Sequence, residues 1–252
     1  KNTPFLLSQE RLAMKLSTDH RTYLTLAAVS MIWGGTFVAG RYLAAQVDPL
    51  LAASLRFVLA SLALLIYMAL ARIRLACPTP RQMAHLVTLG FFGIFFYNLC
   101  FFYGLHHINA SRASLIVALN PAVIGMAAWL LFKEQLGRVK LLGIALCMSG
   151  AATVIVSRNP HLLLGNADAW IGDLLILGCV VGWGVYSLLS RELNNSLGPL
   201  QTVTWSILLG TLMLSGTTFI TGRLTAAALS TLHLPQVASL LYLGVVGSAL
   251  AY

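Results

Sequence analysis

The stretch IWGGTFVAGRYL at residues 32–43 recurs in altered form as GWGVYSLLSREL at residues 182–193. One shift of 150 positions aligns residues 23–64 with 173–214, and the identical pairs include Trp33 with Trp183, Gly34 with Gly184, Arg41 with Arg191, Leu43 with Leu193 and Pro49 with Pro199. After a four-residue adjustment, Gly90 and Gly93 match Gly244 and Gly247. Shared Trp, Arg and Pro at one shift are not expected from a leucine-rich composition. We therefore predict two copies of one structural unit.

The composition is typical of a membrane protein. Of the 252 residues, 58% are hydrophobic and 9% are charged, and the mean hydropathy is +0.83. Soluble domains carry about 25% charged residues, so this chain cannot cover a globular surface with polar groups. The net charge of +9 is interpreted as a topology signal rather than as a nucleic-acid surface. The expected surroundings are a lipid bilayer, and no nucleic acid is expected as a partner.

Eight apolar segments have about the length of 20 residues that a membrane-spanning helix needs. They are 22–42, 50–71, 84–103, 112–132, 139–157, 171–190, 199–220 and 236–252. Their apolar runs are continuous rather than alternating, which favours helices over barrel strands. The predicted fold class is an all-α polytopic membrane protein.

The Lys and Arg residues indicate an orientation. With the N-terminal tail (residues 1–21) in the cytoplasm, eleven of the 16 lie on the cytoplasmic side and four on the other, while Arg56 lies within a span. Positive residues are enriched in cytoplasmic loops, so we predict a cytoplasmic N-terminus.

The repeat predicts the topology. The first segment matches the sixth, so the first unit (22–157) has five spans, and an odd number inverts the second unit. The second unit (171–252) ends at the equivalent of the third span of the first. We therefore expect about eight spans in this chain, ten in the intact protein, and a further tail of roughly 55 residues.

Several short motifs follow the order of the spans. They are Trp33-Gly34-Gly35-Thr36-Phe37 with Arg41 in the first span, Leu55-Arg56-Phe57 in the second, Leu119-Asn120-Pro121 and Phe132-Lys133-Glu134-Gln135-Leu136 in and after the fourth, and Gly143 and Gly150 in the fifth. In order, spacing and duplication, these motifs resemble the EamA family of the drug/metabolite transporter superfamily over nearly the whole chain. The resemblance implies a ten-helix carrier of the inner (plasma) membrane that exports amino acids or related metabolites.

Two matched helix faces carry aromatic side chains. Trp33 and Thr36 are three residues apart and share one face of their helix, as do Trp183 and Tyr186 in the second unit. We predict that the four residues line a substrate cavity near the pseudo-twofold axis. Packing between helices is the alternative for each of them.

Other polar residues in the spans are candidates for the same cavity. Tyr97 and Asn98 in the third span either contact substrate or form hydrogen bonds between helices. Asn120 precedes Pro121, where we expect a kink or break that frees backbone carbonyls near the cavity, and Asn120 either satisfies one of these carbonyls or binds substrate. The triplet Asn120-Pro121-Ala122 also spells the aquaporin motif, but a five-span unit does not fit an aquaporin.

Two charged residues are assigned gating or structural roles. Arg56 lies on the order of 10 Å into the second span at 1.5 Å per residue, where it either contacts a substrate carboxylate or extends to the surface. Glu134 follows the fourth span beside Lys133, which is typical of a salt-bridged helix boundary.

The sequence favours a secondary transporter of amino acids or related small metabolites that works by alternating access, with a channel for small polar solutes as the alternative. An intramembrane enzyme is less favoured, because no paired aspartates, Ser/His pair or HExxH motif is found at membrane depth. No cofactor or metal site is expected. Proton coupling is left open, and the sequence identifies neither the substrate nor the oligomeric state.

Overall fold

The fold is all-helical. The computed structural model describes residues 3–133, 137–158 and 169–250, and these contain helix and no strand. The helices are α1 (Thr3–Ala44), α2 (Pro49–Leu70), α3 (Pro80–His107), α4 (Ala110–Val117), α5 (Asn120–Phe132), α6 (Arg138–Arg158), α7 (Ala169–Ser196), α8 (Pro199–Ile220), α9 (Ala226–Ser230) and α10 (Leu234–Leu250).

Six helical segments are long and apolar enough to cross a membrane. They are Thr22–Ala44, Pro49–Leu70, Pro80–His107, Ala110–Leu130, Ala169–Ser196 and Pro199–Ile220. The remaining two predicted spans coincide with α6 and with α10, which is apolar but shorter. Large apolar side chains such as Met31, Leu70 and Ile220 are at least 78% exposed, as expected for surfaces that face lipid. The predicted all-α membrane fold is confirmed.

Helix starts recur between the two halves of the chain. The side chain of Gln82 accepts a hydrogen bond from the backbone N–H of Thr79 at 2.9 Å, which caps the start of α3. Gln236 accepts the equivalent bond from His233 at the start of α10, 154 positions later. These caps explain why α3 begins at Pro80, before the apolar segment predicted to start at residue 84.

Helices α2 and α8 occupy matched positions and cross at the centre of the molecule. Ser61 and Thr211, which are 150 positions apart, share a hydrogen bond of 2.8 Å. Ser54 lies seven residues before Ser61, and its hydroxyl bonds to Thr218, seven residues after Thr211. The two helices therefore run antiparallel, and a pseudo-twofold axis passes close to the Ser61–Thr211 pair, as an inverted repeat requires.

The close contacts of the repeated glycines follow the same symmetry. A methyl group on Gly90 would meet the Ser206 oxygen, the Leu209 Cβ and the Gly210 nitrogen of α8. A methyl group on Gly244 would meet the equivalent atoms of α2, which belong to Arg56, Leu59 and Ala60. Glycine at these two positions allows α3 and α10 to approach the backbones of α8 and α2.

Each of these two helices also contains π-helical turns. They cover Gly90–Phe96 within α3 and Tyr242–Leu250 within α10. Such turns are rare and are frequently found at functional sites, because they change which side chains face a neighbouring helix.

Candidate functional site

A central cavity of about 60 Å³ lies between the two halves of the bundle. Its walls come from α1, α2, α3, α4, α5, α7 and α10, and the lining residues are Trp33, Thr36, Phe37, Arg56, Tyr97, Phe101, Val117, Asn120, Trp183 and Gly247. The lining combines aromatic rings with a few polar groups, which is typical of sites for small organic ligands.

The aromatic wall is built around the pseudo-twofold axis. Trp33 and its repeat counterpart Trp183 contact each other edge to face, with ring centroids 5.5 Å apart and planes at 87°. Tyr97 lies 6.0 Å from Trp183, and Phe37 lies 5.5 Å from Phe101. Edge-to-face pairs of this kind favour a fixed ring geometry. The two units thus meet at the cavity through equivalent residues.

Arg56 reaches the cavity from α2 although only 5% of its surface is exposed. Its Nε donates to the Ser248 Oγ at 3.0 Å, and its Nη1 donates to the Asn98 Oδ1 at 3.1 Å. The guanidinium also lies over the rings of Phe57 and Phe101, at 5.1 and 5.7 Å from their centroids. A buried charge needs such partners, because desolvation is costly.

Asn120 follows an interruption of the fourth span. Helix α4 ends at Val117 and α5 begins at Asn120, with Pro121 in its first turn, where a missing N–H has no cost. The Oδ1 of Asn120 is buried and has no hydrogen-bond partner among the described residues. An unsatisfied acceptor beside a cavity is suited to a ligand that brings a donor.

The predicted site residues separate into two groups. Trp33, Thr36, Tyr97, Asn120 and Trp183 line the cavity, together with Arg56. Asn98 and Tyr186 are buried behind it: Asn98 binds Arg56, and Tyr186 stacks on Trp183 and covers Gly93. Pro121 is exposed, and Glu134 lies outside the described residues.

Several lining residues were not predicted from the sequence. Phe37 lies one helical turn from Trp33, so helical spacing carried a signal for it, and the repeat carried one for Gly247, the counterpart of Gly93. Phe101, Val117 and the Arg56 partner Ser248 are ordinary apolar or small residues in the sequence, and only the fold brings them to the site.

The end of the bundle at the α1–α2 turn is closed by contacts between polar groups. Arg112 of α4 forms a bidentate ion pair with Asp173 of α7, at 2.6 and 2.8 Å. Arg223 pairs with Asp48 and donates to the Tyr103 hydroxyl at 3.2 Å. Each ion pair joins the first half of the chain to the second.

The opposite end, at the α2–α3 turn, is joined by hydrogen bonds of 2.9–3.1 Å between side chains of Gln201 and Trp205 in α8 and backbone groups of Arg74 and Ala76. Arg81 and Glu192 are 3.8 Å apart, and their side chains are 82% and 67% exposed. Exposed pairs of this kind contribute little to stability. Helix α4 packs against both α1 and α7, and the following helix α5 packs against α7. The Arg–carboxylate ion pairs between the halves are therefore less exposed at the α1–α2 end.

Metal chemistry has no support in the described part of the chain. Over residues 3–133, 137–158 and 169–250, no three His, Cys, Asp or Glu side chains lie close enough together to hold a metal ion.

Comparisons with known proteins agree with this architecture. The chain is 25% identical to the uncharacterized transporter YetK of Bacillus subtilis over 75% of its length, and 28% identical to an uncharacterized transporter of Archaeoglobus fulgidus over 93%. These alignments cover 57% of YetK and 78% of the archaeal protein, so the chain is shorter than both.

A further relative carries a more specific description. A probable amino-acid metabolite efflux pump of Salmonella typhimurium is 28% identical over 91% of this chain and 75% of its own length. A protein of known crystal structure, 19% identical, superposes with a TM-score of 0.62 over 89% of this chain and 77% of its own, which supports the fold.

The family comparison covers both repeats. The sequence profile of the EamA-like transporter family matches residues 20–156 and again 170–252, on either side of the link between α6 and α7. The chain is thus a multi-pass membrane protein, and it belongs to the EamA-like transporter family.

Proposed function

We propose that this protein is a secondary transporter that exports amino acids or related small metabolites across the inner membrane. The observation that carries the proposal is the central cavity, in which an unsatisfied Asn120 Oδ1 and the buried Arg56 guanidinium lie among the rings of Trp33, Tyr97 and Trp183. The similarity to a probable amino-acid metabolite efflux pump supports the same substrate class.

The polar groups match the two charges of an amino acid. The Asn120 Oδ1 can accept a hydrogen bond from an ammonium group, and the ring faces of Trp33 and Trp183 attract cations. Arg56 supplies the positive charge that a carboxylate requires. A zwitterion therefore suits this cavity better than a solute with several charges of one sign.

Transport would alternate between states that open at opposite ends of the bundle. With the predicted cytoplasmic N-terminus, the α1–α2 end faces outward, and its two ion pairs between the halves favour closure there. The proposed cycle begins with substrate entry from the cytoplasm, followed by rocking of one repeat against the other and release outside.

The test is uptake into proteoliposomes that contain the full-length protein, with a panel of labelled amino acids and with or without the same unlabelled amino acid preloaded. Saturable uptake that preloading stimulates is the expected result for at least one amino acid. Flux that rises linearly with concentration and does not change with preloading would indicate a channel instead. Flux equal to that of empty liposomes for the whole panel would reject amino acids as substrates.

A further inference from the structure

We propose that Arg56 determines specificity by binding the substrate carboxylate, and that Asn98 and Ser248 are positioning residues that aim its guanidinium at the cavity. The inference rests on the proposed function and assigns roles within the same site. It concerns a clamp made of residues from three helices, of which α2 and α3 belong to the first unit and α10 to the second.

The clamp fixes the plane of the guanidinium. Hydrogen bonds to two different nitrogens, Nε and Nη1, prevent rotation about the last bonds of the Arg56 side chain. The rings of Phe57 and Phe101 restrict it further through cation–π contact. A guanidinium held in one plane loses less entropy when it pairs with a carboxylate, which is planar as well.

The two partners of Arg56 are themselves held by the backbone. Asn98 Nδ2 donates to the Ile94 carbonyl at 2.8 Å, so its Oδ1 must face Arg56. Ser248 Oγ donates to the Leu243 carbonyl at 2.9 Å, so its lone pairs accept from Arg56 Nε. Both carbonyls belong to π-helical turns, Ile94 to that of α3 and Leu243 to that of α10. The π-helical turns thus provide anchors for the clamp.

The charge is present in only one of the two repeats. The position that matches Arg56 in the second unit is Ser206, whose hydroxyl bonds to the Thr202 carbonyl of its own helix at 2.7 Å. The two faces of a symmetric cavity therefore differ in charge, and a substrate carboxylate has one preferred side. Burial of an arginine in a membrane protein costs free energy. Such a residue is therefore expected where it serves recognition.

The experiment compares binding of an amino acid with binding of its amide. The ligand is whichever amino acid gives trans-stimulated uptake, and the probe for the carboxylate is its carboxamide analogue. Binding to the full-length protein in detergent is followed by quenching of tryptophan fluorescence. The variants are Ser248→Ala, which removes one oxygen atom, and Asn98→Leu, which keeps the volume and removes the acceptor. Ser206→Ala is the matched control, because Ser206 is a buried serine at the repeat-equivalent position.

In the wild-type protein the acid is expected to bind at least ~10-fold more tightly than the amide, since hydrogen bonds to charged groups are the strong ones. Ser248→Ala and Asn98→Leu should each reduce that ratio by about threefold or more, while Ser206→Ala keeps it. Variants that bind more weakly but retain the wild-type ratio would overturn the clamp and leave the proposed function standing. A wild-type protein that binds the acid and the amide equally would overturn the carboxylate assignment, and the trans-stimulated uptake of the amino acid would leave the proposed function standing.

Discussion

At the scale of single residues, the contact between Trp33 and Trp183 is the clearest link from sequence to site. The two residues are 150 positions apart, yet their rings touch at the cavity wall. Residues related by a twofold axis contact each other only if they lie close to that axis. The contact between the recurring tryptophans therefore marks where the two units meet, and the cavity lies at the same place.

Replacement of either tryptophan should weaken substrate binding. Trp33→Ala or Trp183→Ala removes the edge-to-face pair and part of the cavity wall, so the half-saturation concentration for transport should rise about 3- to 10-fold. Kinetics in proteoliposomes measure this value. Trp129→Ala is the control, because Trp129 is 57% exposed and does not line the cavity. Equal effects of all three changes would contradict a binding role for the central pair.

The sequence predicted most of the polar residues that line the cavity, but not which of two neighbouring side chains faces it. Tyr97 and Asn98 are adjacent and were both candidates for the cavity, yet Tyr97 lines it and Asn98 lies behind it. The π-helical turns at Gly90–Phe96 alter the helical period just before these residues, so a regular helix gives the wrong face. Whether these residues bind substrate stays a prediction.

At the scale of helices, repeated glycines set the distance between α3 and α8 and between α10 and α2. Because the atoms around Gly90 and Gly244 are equivalent, the two contacts should respond alike to substitution. Gly90 and Gly244 were matched from the sequence, but their partners were not, since no spacing within one helix identifies the helix it packs against.

Gly90→Ala and Gly244→Ala should each destabilise the protein by about 1–3 kcal/mol, because the added methyl group would overlap backbone atoms of the neighbouring helix. Thermal unfolding in detergent should show both melting temperatures falling. Gly216→Ala is the control, since a methyl group there meets nothing within 4 Å. A stable Gly244→Ala variant would mean that α10 and α2 pack less closely than described.

Helix boundaries were the least predictable feature at this scale. The fourth predicted span, 112–132, is divided between α4 and α5, with the interruption before Asn120 rather than at Pro121. Proline fits the first turn of a helix as well as it breaks one, so the sequence alone does not fix the side on which the break falls.

At the scale of the whole molecule, the ion pairs at the two ends of the bundle differ in exposure. The Arg112–Asp173 pair is bidentate, with side chains that are 20% and 26% exposed, whereas the Arg81–Glu192 pair is largely exposed. The repeat predicted the inverted arrangement but not this difference, because the repeat counterpart of Asp173 is Tyr23 and the pair has no copy.

Asp173→Asn should loosen the α1–α2 end. Loss of the charged acceptor weakens both hydrogen bonds from Arg112, so amides near the starts of α4 and α7 should exchange hydrogen several-fold faster. Hydrogen exchange followed by mass spectrometry measures the change. Glu192→Gln should leave exchange at both ends within about twofold of wild type. Unchanged exchange in Asp173→Asn would show that this ion pair does not hold the end closed.

The central claim is that the cavity between the repeats is the transport site and opens to one side of the membrane at a time. The direct measurement is the accessibility of Val117→Cys, which lines the cavity, in full-length protein with its own cysteines replaced. A membrane-impermeant thiol reagent is applied from each side, with and without the transported amino acid. We predict modification from either side, slowed by the amino acid, and slower from the α1–α2 end unless Asp173→Asn is also present. Modification that the amino acid leaves unchanged, or that occurs from one side only, would contradict the account.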